Sequence, residues 1–170
     1  MENKEIERKY LIETPKRDSL AARCSHVYAM EQTYLRGKAG VTRRVRKRSE
    51  NGATAYFYTE KEPVSDCTAV EREREISPAA YEALLKERDP ALRTIVKTRY
   101  CLPWENHLFE IDLYPFWTEM AVMEVELKEE NEAVAFPPEI RIRREVTGDR
   151  RFKNVSLARD VPEEKRLLLS

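Results

Sequence analysis

The chain has 170 residues, which suits one domain with a sizeable core. Charged residues make up 36% of it, yet 31 basic and 31 acidic side chains cancel, which excludes a general nucleic-acid or membrane binder with a net basic surface. No apolar run approaches the ~18 residues of a membrane span, and the charged N-terminus lacks a signal-peptide pattern, so a cytoplasmic location is expected.

Alternation and turn residues predict eight strands, at about 4–12, 30–36, 41–48, 53–61, 69–76, 93–102, 106–114 and 119–128. The first carries Glu5, Glu7 and Lys9 on one face, because alternate side chains of a strand point the same way. A helix is predicted from Pro15 to Ala29 before the second strand. Gly37 to Gly40, Ser49 to Gly52 and Pro103 to Asn106 read as hairpin turns. The third strand pairs Arg44 with Arg46, the fourth aligns Phe57, Thr59 and Lys61, and the fifth aligns Glu71, Glu73 and Glu75.

Ser77 as N-cap with Pro78 behind it opens a helix to about Arg88. Lys97 and Arg99, Glu110 and Asp112, and Glu124 and Glu126 continue the like-charged pairs to the eighth strand. Beyond the Pro137-Pro138 break, Ile140 to Val146 alternates without a firm assignment, and Asp149 caps a helix predicted to reach Arg159 and cover one barrel end. Residues 1–160 are expected to form the single domain and 161–170 a frayed tail. Short links favour antiparallel pairing, and eight strands suffice to close a barrel. The expected fold is therefore mainly β, an eight-stranded antiparallel barrel with flanking helices.

Period two says which residues share a face, but not whether that face meets water or the barrel interior. Solvated strand faces usually mix charge signs with Thr, Ser and Gln, whereas these pairs sort into all-acidic and all-basic sets. Turned inward, such charges need neutralising ligands. Glu5, Glu7, Asp112, Glu124 and Glu126 offer oxygen ligands of the kind Mg²⁺ or Mn²⁺ accepts, while Lys9, Arg44, Arg46, Lys61, Lys97 and Arg99 suit phosphate oxygens. Cys24, Cys67 and Cys101 form no Cys-x-x-Cys pair and read as buried reduced thiols; His26 and His107 have no metal-binding spacing.

Eight segments resemble the CYTH, or triphosphate tunnel metalloenzyme, family in family order. They are EIERKYL at 5–11, Arg44-x-Arg46, Thr59-x-Lys61, Glu73-x-Glu75-Ile76, KTRY at 97–100, FEIDLY at 109–114, MEVEL at 123–127 and EVTGDRRFKN at 145–154. The resemblance implies a charged tunnel, with Glu5, Glu7, Asp112, Glu124 and Glu126 at the metal and Glu73, Glu75 and Glu110 as secondary candidates. It assigns Lys9, Arg44, Arg46, Lys61, Lys97 and Arg99 to the phosphates, with Lys153 in the covering helix, and Glu5, Glu7, Lys9, Glu124 and Glu126 to catalysis.

Glu71 stands where the family often has Arg, implying one weakened phosphate contact. The ending looks most like the bacterial inorganic triphosphatases, and the cyclase members' His-Phe pair is missing ahead of Glu5. The expected activity is metal-dependent hydrolysis of inorganic triphosphate. The alternatives are a class IV-type adenylate cyclase, a nucleoside or thiamine triphosphatase, and a non-catalytic polyphosphate-binding module. The expected partner is a small-molecule triphosphate, not nucleic acid or membrane; a homodimer is compatible with the sequence.

Overall fold

A computed structural model describes residues 3–169; Met1, Glu2 and Ser170, at the ends of the expected domain and tail, lie outside the described residues. The element order is β1 (Asn3–Glu13), α1 (Arg17–Ala21), β2 (His26–Leu35), β3 (Thr42–Glu50), β4 (Ala53–Pro63), β5 (Thr68–Ile76), α2 (Pro78–Leu85), β6 (Ile95–Trp104), β7 (His107–Leu113), β8 (Met120–Leu127) and β9 (Ile142–Glu145), followed by α3 (Asn154–Arg159) and α4 (Glu164–Leu168). Strands β1 to β8 form a closed antiparallel barrel in the order β5-β4-β3-β2-β6-β7-β8-β1, and β1 returns to β5. The eight expected strands and the barrel are borne out.

One edge of β1 pairs with β8 from Ile6 to Glu13. Its other edge is divided: Asn3 to Ile6 pair with β5 and close the barrel, and Tyr10 to Ile12 pair with β9. That ladder settles the unassigned alternating segment as a strand. The β3–β4 connection is a two-residue turn, Asn51-Gly52, with both residues at positive φ (49° and 81°), the conformation that matches hairpin twist and favours Asn-Gly.

The barrel is charged inside and apolar outside, the reverse of a small soluble barrel with a side-chain-filled core. The outward residues Tyr10, Ile12, Leu102, Phe109, Ile111, Met123 and Val125 form one cluster with Leu20 of α1 and Ile140. On the opposite wall Leu35, Val45 and Tyr58 pack against Tyr81 of α2. The third cluster plugs the barrel: the inward residues Leu11, Tyr34, Ile95, Met120 and Val122 meet Phe152, Leu157 of α3 and Leu167 of α4.

The helices depart from expectation. The helix predicted over 15–29 is only Arg17–Ala21, since residues from His26 onward pair with β6, from His26 opposite Cys101 to Gln32 opposite Ile95. No side chain caps α1 at Lys16, so the ladder outweighs a short helix's weak intrinsic stability. Helix α2 ends at Leu85 and the next residues tighten into i→i+3 bonds, a common way to finish a last turn. The helix predicted from Asp149 is split. Asp149 caps a 3₁₀ turn, Arg150–Phe152, and extended Lys153 separates it from α3, which lets fully buried Phe152 enter the plug.

The expected tail is tied to the barrel at Pro162, Glu164 and Leu167. Glu164 accepts backbone hydrogen bonds from Glu119 (2.6 Å) and Met120 (2.9 Å), Trp117 donates its ring N–H to Pro162 O (3.1 Å), and Leu167 is buried. Of the three free thiols only Cys101 is buried, and burial pushes it up to about 12. Ser77 caps α2 by accepting from Ala80 N at 3.1 Å. Ser77→Ala should therefore cost about 1 kcal/mol and lower Tm by about 2–4 °C in thermal melts; an unchanged Tm would show that the cap adds nothing.

Candidate active site

The inward faces of the strands enclose a cavity of about 400 Å³. Alternation supplies its lining: Glu5, Glu7 and Lys9 from β1, Arg44 and Arg46 from β3, Lys61 from β4, Glu73 from β5, Arg99 and Glu110 from β6 and β7, Glu124 and Glu126 from β8, and Lys153 from the plug. Every one of these is a residue singled out by the sequence. Three others do not reach the cavity. Lys97 and Asp112 share the inward face but are buried and do not line the cavity, and Glu75 stands exposed opposite Phe57, beyond the lining.

Lys97 Nζ donates to Asp112 Oδ2 at 2.5 Å. Arg99 grips the same carboxylate from both sides, Nε to Oδ1 at 2.7 Å and Nη2 to Oδ2 at 2.8 Å. Burial would raise the Asp112 carboxyl, but Arg99 and Lys97 outweigh it and hold it low. Burial and the neighbouring Arg99 pull Lys97 down to about 8 against the attraction of Asp112 and Glu124. Both oxygens of Asp112 are thus committed to cations.

Glu124 pairs with Lys9 at 2.9 Å and approaches Arg99 Nη2 at 3.5 Å. Although burial would raise its carboxyl, Lys9, Arg99 and Lys97 hold it well below the usual carboxylate range. Conversely, burial would lower Lys9, but Glu124 and Glu7 keep it above its ordinary value. Arg99 also ion-pairs with Glu110, so three carboxylates fix one guanidinium.

The β4–β5 register places the carboxylates of the fifth strand. Glu71 lies opposite Lys61 and Glu73 opposite Thr59. Glu71 is buried and lines the cavity, 3.6 Å from Arg44 and 3.5 Å from Lys61. Glu73 accepts from Arg46 (2.7 Å) and Thr59 (2.8 Å). Of the three alternating carboxylates, Glu71 and Glu73 therefore line the cavity and Glu75 does not, and Glu71 lies against Arg44. Its signal was the same alternation that picked out Glu73 and Glu75. Tyr34 and Asn154 also line the cavity; nothing in residue type or spacing marked them.

Glu126 and Glu7 are poorly compensated, whereas Glu5 accepts from Lys61 Nζ at 3.2 Å. Glu126 makes no ion pair among the described residues, and its carboxyl is raised by partial burial, Glu110, Glu7 and Glu71. Glu7 has Lys61 only at 3.7 Å. Burial pushes Glu5 up; Lys61 opposes it and Glu71 reinforces it, leaving the carboxyl at about 7. Crowded oxygen donors of this kind fit a hard divalent cation. Among the described residues, no three Asp, Glu, His or Cys side chains already converge on one point. On the cationic side, Nε of Arg44 and Nε of Arg46 are buried donors without a partner, an unsatisfied arrangement that an anion would complete.

A closed antiparallel barrel with these charged faces turned inward is a tunnel barrel of the CYTH type. No family model matches the chain. It is 33% identical over 161 residues to an inorganic triphosphatase from Nitrosomonas europaea, covering 93% of this chain and 99% of that protein. The chain belongs to the CYTH, or triphosphate tunnel metalloenzyme, family, alongside the inorganic triphosphatases. A crystal structure of an inorganic triphosphatase aligns with a TM-score of 0.58 at 30% identity, over 94% of this chain and 97% of its own. A Hippeastrum protein, described as having a dominant triphosphatase activity, shares the fold at 18% identity and a TM-score of 0.54, over 74% of this chain and 80% of its own. Among the described residues no helix is long and apolar enough to cross a membrane.

Proposed function

We propose that this protein hydrolyses inorganic triphosphate to pyrophosphate and phosphate within the barrel, with a divalent cation. The observation that carries the reading is the convergence of Lys9, Arg44, Arg46, Lys61 and Arg99 on one cavity, with the buried Nε atoms of Arg44 and Arg46 still without an acceptor. Five cations around about 400 Å³ suit a compact, multiply charged linear anion. The 33% identity to an inorganic triphosphatase over nearly the whole of both chains supports the same substrate.

In this reading Arg44, Arg46 and Arg99 bind the phosphate oxygens, and Glu71, Glu73 and Asp112 hold those guanidiniums in place. Pre-positioned cations stabilise charge in phosphoryl transfer without reorganising during the reaction. Lys9 and Lys61 complete the cationic wall, and Lys153 reaches the cavity from the plug. Glu7 and Glu126, with Glu5, are the carboxylates best suited to hold Mg²⁺ or Mn²⁺, because Glu124 and Asp112 are each engaged by two cations whereas Glu5 and Glu7 share the single Lys61. A bound divalent cation would supply Lewis-acid polarisation of the phosphoryl oxygens. Attack by water needs no side-chain nucleophile, and a nucleoside or thiamine group adds bulk without an evident pocket of its own.

The test is an assay with Mg²⁺ or Mn²⁺ against triphosphate, ATP and thiamine triphosphate, scored for phosphate, pyrophosphate and cyclic nucleotide. Triphosphate should show the highest kcat/KM and ATP little cyclic AMP. Efficient formation of cyclic AMP would instead establish a cyclase, and tight triphosphate binding without turnover would establish a binding module. Arg46→Ala should lower kcat/KM for triphosphate by about 10- to 150-fold, the worth of one charge-assisted hydrogen bond. A change under threefold would remove Arg46 from the phosphate site.

A further inference from the structure

The cationic row on β3 does not stop at Arg46. Arg48 is the next inward residue and also lines the cavity. Its surroundings differ from those of the two arginines before it. Arg44 is paired with Glu71 and Arg46 with Glu73. Among the described residues Arg48 has no carboxylate oxygen within the 4.0 Å of an ion pair and makes no side-chain hydrogen bond. Glu50, which influences it electrostatically, has its carboxylate engaged by Val27 N (3.1 Å) and His26 Nδ1 (3.0 Å).

Two aromatic rings hold the guanidinium instead. Its Cζ lies 4.6 Å from the Tyr28 ring centre and 4.5 Å from that of Phe57, well inside the ~6 Å range of cation–π attraction. Rings against a guanidinium cover its faces and leave its N–H edge without an acceptor. That edge is the part that recognises phosphate bidentately. A long, flexible side chain restrained in this way also has less freedom to lose when an anion binds.

We infer that Arg48, held by Tyr28 and Phe57, forms an additional phosphate subsite at the end of the Arg44–Arg46 row and extends the substrate range to a longer linear polyphosphate, inorganic tetraphosphate. The inference rests on the triphosphatase reading. At roughly 3.3 Å per residue, Arg48 extends the row by about 6.6 Å of strand beyond Arg46, so a fourth phosphoryl group has a donor that triphosphate need not reach. In the reaction, water's oxygen bonds to a terminal phosphorus and the bridging P–O bond to that phosphorus breaks. Both water protons leave on the released phosphate, so tetraphosphate and water yield triphosphate and dihydrogenphosphate with atoms and charge balanced.

The experiment compares tetraphosphate with triphosphate for the wild type, R48Q and R48K, by kcat/KM with Mg²⁺ and by calorimetric Kd in EDTA. R48Q should reduce the tetraphosphate-to-triphosphate ratio of kcat/KM, and of affinity, by about tenfold or more. R48K, which keeps the charge but loses the planar fork, should fall between. Equal losses on both substrates, or no loss on either, would overturn the subsite. If the wild type turns over neither substrate, the triphosphatase reading fails, and the Kd ratio still decides whether Arg48 reads the fourth phosphate. Should R48Q not fold, the same ratios measured with R48K and Y28L decide the question.

Discussion

Asp112→Asn should lower the melting temperature more than any other single charge change in the barrel wall. The substitution keeps the side-chain shape but leaves Lys97 and Arg99 without the carboxylate that both now touch, at 2.5 Å and 2.7 Å. Breaking a buried ion pair from one side costs about 3–5 kcal/mol, which for a chain of this length corresponds to roughly 6–20 °C. The loss should depend on pH, with a sign set by Lys97. Its native value of about 8 already lies below the ~10.4 of an unfolded lysine.

Between those two values the unfolded chain binds more protons, so this group favours folding increasingly as pH rises. Removing Asp112 lowers the native value further and opens that window at lower pH. The destabilisation should therefore be larger at pH 6 than at pH 9, where Lys97 is mostly neutral in both proteins. Thermal melts at the two pH values check this. A variant within about 2 °C of wild type at both would show that the buried triad is not the anchor of the wall.

Glu7→Gln should nearly abolish turnover while leaving the fold intact. Glu7 lines the cavity and is held only loosely, by Lys61 at 3.7 Å, so losing its charge strands no buried cation. It also belongs to the group of carboxylates that raise Glu126. Removing one member relieves repulsion, and the melting temperature measured in EDTA should be unchanged or higher. Turnover should fall more than about 100-fold, beyond what the loss of a residue merely supporting a metal ligand costs, and the rise in Tm expected when Mg²⁺ binds the native wild type should be lost. Near-normal activity would remove Glu7 from the metal site. Glu124→Gln should differ by losing stability as well, because Lys9 then has no partner at 2.9 Å.

Most of the barrel was legible in the sequence. Alternation marked the eight strands, Asn51-Gly52 marked a hairpin, and Ser77-Pro78 marked the start of α2. The helix over 15–29 was misread because the charged and small residues of 16–25 suit a helix, while the ladder that claims His26 to Ala29 is made with β6, about seventy residues away. The break at Lys153 was hidden for a related reason: it serves the burial of Phe152 against Leu11, Met120 and Val122, residues remote in sequence.

The sequence by itself determined which charged residues share a face, because the side-chain period of a strand is two whatever it pairs with. Only the tertiary structure decided that the shared face points inward, since alternation is identical for a solvated and an enclosed face. It also decided how deep each member sits. Register against Lys61 and Thr59 puts Glu71 and Glu73 in the cavity and leaves Glu75 outside it. Pairing with β6 sets Asp112 against Arg99, fully buried and outside the cavity lining, so two carboxylates in one alternating pair, Glu110 and Asp112, end in different surroundings. Depth depends on which neighbouring strand supplies a partner at each level, and that information lies in the closure of the barrel rather than in any single strand.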